Sequence, residues 1–258
     1  MQWITIFQKE ILENARNFKW IWVPLVFILL AIMDPLTTYY MPVLLENFGD
    51  LPEGAQINLP TPPPPEVFWM SFSQLNVLGI LVVLLMSMGL ISAERKSGVS
   101  EMVLVKPVSY TSYVTAKFAS TLLLTLISAF IGLLASWYYV NLLFGEIPFS
   151  LYIGSVSFYS IWLMFIVSIS IILNTAFRTP GLVGFLSVAA LLLASAINSV
   201  FKTRIEWLPP QINAYIKGYL STGSVTNDLW ITAIVTIGLT AILLIISVFI
   251  LRKKELAA

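Results

Sequence analysis

Of the 258 residues, 58% are hydrophobic and only 10% charged, and the mean hydropathy is +0.89. A soluble domain carries roughly 25% charged residues, so water is not the main solvent of this chain. A net charge of +1 leaves no footprint for nucleic acid or for a polybasic anchor, and the absence of cysteine and histidine excludes disulfides, thiolate nucleophiles, haem ligation and the usual zinc sites.

Residues 1–18 carry a helical period. At about 100° per residue, Trp3, Ile4, Phe7, Ile11, Leu12, Ala15 and Phe18 share one side. Gln2, Thr5, Lys9, Glu13 and Arg16 share the other, with Ile6 and Gln8 out of pattern. Such a segment lies in the membrane interface and feeds the first span, or packs by the same face on a soluble partner. Lys9, Glu10, Glu13, Arg16 and Lys19 interrupt it too early for a signal peptide.

A helix needs about 20 mostly apolar residues to cross the hydrocarbon. Trp20–Met33 stops at Asp34-Pro35, but Leu36, Tyr39, Tyr40 and Met41 resume the apolar character. The expected first span is therefore about 19–40, with Asp34 near its outer end; a re-entrant segment there would leave five spans. Val67–Ala93, Phe118–Gly145, Ile147–Phe177, Thr179–Phe201 and Leu229–Leu251 contain no Asp, Glu, Lys or Arg. They predict spans of about 67–93, 118–144, 149–177, 180–201 and 229–251. With six spans, eleven of the 14 basic residues fall on one side: the N-terminal tail, the loop 94–117, Arg178 and Arg252 to Lys254. Lys202, Arg204 and Lys217 fall on the other, where the stretch 34–66 holds five acids and no base. Cytoplasmic loops are enriched in Lys and Arg, so both chain ends are expected inside. The fold class is all-α: six transmembrane helices after an amphipathic interfacial helix.

Between the spans, 42–66 contains Pro42, Pro52, Pro60 and the run Pro62 to Pro65, which predicts an extended, polyproline-like outer connector or a proline-reading contact. The outer segment 202–228 carries Trp207, Leu208, Ile212, Tyr215, Ile216, Tyr219 and Leu220, and reads as short re-entrant or interfacial helices. On the cytoplasmic side, Glu94-Arg95-Lys96-Ser97-Gly98 leaves the second span. Val99, Met102, Val103 and Val105 then form an apolar stripe around Glu101, Lys106-Pro107 stops it, and Ser109 is placed to cap a new helix. This is either a short amphipathic helix suited to docking a soluble protein or an ordinary polar loop.

Neither a phosphate-cradling G-x-x-x-x-G-K-[ST] nor a dinucleotide fingerprint occurs. Polar groups in the long runs are neutral: Asn76, Ser87, Thr125, Ser128, Asn141, Ser168, Ser170, Asn174, Thr175, Ser195 and Asn198. Most are expected to hydrogen-bond a neighbouring helix, and Gly79, Gly89, Gly132 and Gly184 to mark close helix packing. Mid-span ionisable groups, the usual mark of ion-coupled carriers, are missing. Transport by this chain would need an external energy source.

Three passages resemble the permease subunits of bacterial type-2 ATP-binding-cassette (ABC) exporters. Phe7-Gln8-Lys9-Glu10 with Arg16-Asn17-Phe18-Lys19-Trp20 is similar to that family's interfacial helix. Ser92 to Gly98, continuing through Val105-Lys106-Pro107-Val108-Ser109 to Ala116-Lys117, is the most specific match, and Arg252-Lys253-Lys254 resembles the basic C-terminal tail. The resemblance implies a multi-pass permease of the bacterial cell membrane with no catalytic, cofactor or metal site of its own. It implies two cytoplasmic ABC ATPase subunits carrying ATP and magnesium, and a second permease copy or a sister permease. It assigns ATPase coupling to Glu94, Arg95, Lys96, Gly98, Glu101 and Met102, and places Lys9, Glu10 and Arg16 in the interfacial helix. A membrane-embedded enzyme and a non-transporting structural or sensory subunit are the competing classes; no convergent acid–base or Ser–Lys motif supports the former.

Overall fold

The computed structural model describes residues 2–48, 60–98, 109–201 and 204–255, and among them every regular element is helical. α1 (Gln2–Arg16) leads into α2 (Lys19–Phe48). α3 (Pro64–Gln74), a π-helical turn (Leu75–Gly79), α4 (Ile80–Ser87) and α5 (Ser92–Lys96) follow one another along a single span. α6 (Tyr110–Leu143), α7 (Phe149–Ala176), α8 (Pro180–Phe201), the short α9 (Gln211–Thr222) and α10 (Asn227–Glu255) complete the order. Six stretches are long and apolar enough to cross a membrane: Lys19–Val43, Pro64–Lys96, Tyr110–Leu143, Phe149–Ala176, Pro180–Phe201 and Asn227–Lys254.

α6 begins where Ser109, in extended backbone, accepts the Ser112 N–H at 3.1 Å and so caps the first turn. Its 34 residues make a rod of about 51 Å, well beyond the ~30 Å hydrocarbon, so its first turns stand outside the apolar layer. α2 and α6 pack against each other without side chains between them at Gly132. A Cβ there would lie 2.8 Å from the Phe27 carbonyl oxygen, so only glycine allows this approach.

The centre is filled by Phe27, Phe68, Phe72, Leu75, Leu133, Tyr152 and Tyr159, all fully buried. Phe72 meets Phe68 and Tyr159 edge-on, with centroids 5.1 and 5.3 Å apart, the arrangement that ring quadrupoles favour. Neutral polar groups stitch the helices: Ser71 to Ser136 and Ser87 to Ser170, each at 2.7 Å, and Trp162 Nε1 to Asn76 Oδ1 at 2.7 Å. Others bond within their own helix, as Thr125, Ser128, Ser168 and Thr175 do to carbonyls three or four residues back. The expectation of mostly interhelical bonds therefore holds for only part of the set, because a hydroxyl can always reach the preceding turn.

One local expectation needs correction. The extended outer connector does not begin at Pro42, because α2 continues through Pro24, Pro35 and Pro42. Its packing on α6 and α3 outweighs the backbone bonds lost at the prolines. On its far side the chain is extended at Pro63, with φ −65° and ψ 148°, and Pro64 and Pro65 then open α3, where a missing N–H costs nothing. Residues 49–59 lie outside the described residues. In the outer segment, α9 buries Ile212, Ile216, Tyr219 and Leu220, a helical stripe packed on α7, α10 and α3, and ends at Gly223 in the left-handed region.

α1 has three sides. Trp3, Ile4 and Leu12 are exposed, as an apolar face against lipid would be, while Lys9 and Glu13 face water. The side packed on α6 is Ile6, Glu10 and Asn14, spaced by four. Ile6 falls outside the apolar face in the sequence pattern because it belongs to this third, protein-facing stripe. The turn into α2 passes through Phe18 at φ 55°, a left-handed backbone that bulky residues seldom adopt.

Candidate coupling site at the basic end of the bundle

α1, α5, the start of α6, the end of α7 and the end of α10 meet at one end of the bundle. Four ionised side chains and one phenol join the first three. Lys117, on the third turn of α6, is 1% exposed and lies 2.7 Å from Glu10 of α1 and 3.0 Å from Glu94 of α5. Lys9 of α1 reaches Glu94 at 2.6 Å and Glu10 at 3.2 Å. The Tyr113 hydroxyl donates to the other Glu94 oxygen. Two carboxylates and two ammoniums balance, which is the condition for keeping such charges away from water. Trp3 Nε1 to Thr115 at 3.0 Å and Asn14 to Ser120 at 3.2 Å fasten α1 to α6 on either side.

Burial alone would lower the Lys9 pKa. The hydrogen bond that Lys9 donates to Glu94 and the charges of Glu10 and Glu94 outweigh it and hold the ammonium above the usual lysine range. Glu10, Glu13 and Glu94 bring their carboxylates together as a metal site would. Lys9 Nζ, however, is within 3.5 Å of all three, so the chain supplies its own cation there.

Glu94 and Arg95 are neighbours on α5 and reach in different directions. Glu94 engages α1 and α6; Arg95, buried, donates to the Thr175 carbonyl at the end of α7 at 2.8 Å. Lys254 of α10 donates to the next carbonyl, Ala176, so the last turn of α7 holds two cations where helix carbonyls are unsatisfied. Gly98, at φ 76°, lies at the exit of α5.

Of the residues singled out in the sequence, Lys9, Glu10 and Glu94 come together and Arg95 sits beside them. Lys96 and Arg16 are exposed and lie outside the ion-pair cluster, and Glu101 and Met102 lie outside the described residues. Lys117 belonged to the motif quoted above but was not expected to pair with α1, and Tyr113, Asn14 and Asn174 were not anticipated as site residues. Ile6, Glu10 and Asn14 are spaced by four, but their mixed chemistry left no hydrophobic period to mark the pairing.

A second feature lies nearer mid-span, where the π-helical turn, α7 and α8 enclose a cleft of about 320 Å³. It is apolar apart from Asn76, Trp162 and Ser195. π-turns inside helices recur at functional sites.

Six candidate spans with a charged junction at one end define a polytopic membrane protein, and comparison with known proteins supplies its class. Residues 60–253 match the ABC-2 family transporter proteins, and the chain belongs to that family. A relative, the "Uncharacterized transmembrane protein YxlG" of Bacillus subtilis (strain 168), is 32% identical over 209 residues, covering 81% of each chain. The chain is thus a multi-pass protein of the cell membrane and the membrane component of an ABC transporter, a component distinct from the ATPase.

Proposed function

We propose that this chain is the permease of an ABC exporter, working as a homodimer or with a sister permease, and driven by two cytoplasmic ATPase subunits that bind ATP and magnesium. The observation that carries this reading is the ion-pair cluster of Lys9, Glu10, Glu94 and Lys117. It joins the interfacial helix to the second and third spans at the basic end, beside the segment that leaves α5.

In this reading the ATPase docks on the segment after Gly98, with Glu101 and Met102 at the contact. Its closure displaces α5, and Glu94 passes that displacement to α1 and α6 while Arg95 passes it to α7. The cleft beside the π-helical turn, with Asn76 and Trp162 as its polar points, is where an amphipathic substrate would meet the spans.

The test is co-reconstitution of the chain with its ATPase in liposomes, scoring ATP hydrolysis and substrate movement by direction. Hydrolysis accelerated by a substrate that moves away from the ATPase side supports the reading. Movement toward that side overturns the exporter direction. An ATPase whose rate ignores every substrate points instead to a non-transporting sensory subunit.

A further inference from the structure

The second span breaks between α4 and α5, at Met88–Ile91, although no proline lies there. In a regular helix the Ile91 N–H would donate to the Ser87 carbonyl and the Ser92 N–H to the Met88 carbonyl. Neither bond is made. The side-chain amide of Asn174, fully buried on α7, is inserted instead. Its Oδ1 accepts from Ile91 N and Ser92 N, both at 3.1 Å, and its Nδ2 donates to the Ser87 carbonyl at 2.9 Å and to the Ser170 carbonyl at 2.9 Å. The Met88 carbonyl is taken by the Ser92 hydroxyl at 2.7 Å. A side chain entering the backbone ladder is a recognised cause of a sharp helix bend.

The break has the makings of a joint. Gly89 lies within it, and a Cβ there would meet Ala93 Cβ at an ordinary 3.5 Å, so the glycine is not required by space. What glycine adds is backbone freedom that alanine lacks in a helix. Immediately beyond the break stand Glu94 and Arg95, the two residues that tie α5 to α1, α6 and α7.

We propose that Met88–Ile91 is a hinge within the second span, and that Asn174 is the positioning residue that sets its resting angle by standing in for the missing backbone partners. This rests on the coupling role given to α5 above. Bending at this point lets α5 move with the ATPase-facing segment while α4 stays packed on α7. Asn174 can exchange its two accepted N–H groups one at a time, so motion does not leave both amides bare in an apolar surrounding.

The experiment has two arms, so that failure of the hinge and failure of the coupling reading are separable. First, spin labels at Ser97 on the α5 side and Ser221 on α9, both exposed, report the distance between the two ends in the full chain in nanodiscs. Gly89→Ala, which the space around it accepts, should narrow the distance distribution, and Asn174→Leu should broaden or shift it. Identical distributions in wild type and both variants would overturn the hinge, and this arm needs no ATPase. Second, with the ATPase co-reconstituted, Gly89→Ala should retain ATPase capture yet lose about fivefold or more in substrate moved per ATP. Wild-type transport per ATP in a Gly89→Ala protein whose distances have narrowed would remove Asn174 and the hinge from coupling.

Discussion

Replacing Lys117 by methionine keeps most of the side-chain volume and helix propensity but removes one of two cations from a balanced cluster. Glu10, 5% exposed, then loses its 2.7 Å partner, and Glu94 loses its 3.0 Å contact. Lys9 is left as a half-exposed ammonium shared by three carboxylates, those of Glu10, Glu13 and Glu94. Removing one member of a buried pair costs about 3–5 kcal/mol when the other charge is left uncompensated, and Glu10 keeps Lys9 at 3.2 Å, which sets the loss at the lower end of that range. At roughly 2–4 °C per kcal/mol for a chain of this size, the melting temperature in detergent should fall by about 10 °C. Glu10→Gln in the same chain should recover much of that loss, because an amide left in the pocket carries no uncompensated charge. The assay is a double-mutant cycle in thermal stability over Lys117→Met, Glu10→Gln and the pair, with α1 protection from proteolysis measured alongside. A Lys117→Met protein as stable as wild type, or losses that simply add, would refute the claim that this cluster holds α1 to α6.

Gly132→Ala should destabilise the α2–α6 contact by about 1–3 kcal/mol, since its Cβ would lie 2.8 Å from the Phe27 carbonyl oxygen; detergent thermal melts read this directly. Lys9 keeps its charge above the ordinary lysine value of 10.5, so its contribution is complete at lower pH and is lost only as pH rises past 10.5 toward the elevated folded value. A stability profile flat from pH 7 to about 10, and steeper above it than in Lys9→Met, is the expected result. Met102→Asp and Glu101→Lys should release the ATPase or uncouple it while the permease still inserts, with about 2 kcal/mol at stake at a well-packed contact residue. Pull-down of the ATPase and substrate-stimulated hydrolysis measure the two losses.

The membrane-spanning architecture was legible because hydrocarbon imposes a length and a composition that few other environments do. The five uncharged runs and the Trp20–Tyr40 segment could have served little else. What sequence patterning missed lies where one residue answers two demands. Ile6, Glu10 and Asn14 mix an apolar, a charged and an amide group, so no hydrophobic period reveals that they share a face. Lys117 lies in the helix that Ser109 was expected to cap, but a lone lysine there does not reveal that α1 supplies its partner. Asn174 looks like any intramembrane amide; its role depends on a break in another helix that carries no proline to announce it. Pro42 misled in the opposite sense, since a proline near the end of a long helix is tolerated when packing holds the rest.

The central claim is that the segment leaving α5 is the contact through which an ATPase drives this permease. Its most direct test places a photo-crosslinking amino acid at Met102, with a second at Ser221 on the far helix α9 as a control, in cells expressing the whole transporter. The account predicts a covalent adduct from position 102 to an ABC ATPase, lost when Glu101→Lys is added, and none from position 221. An adduct at 221, or expression and insertion at wild-type levels with no adduct at 102, would contradict it.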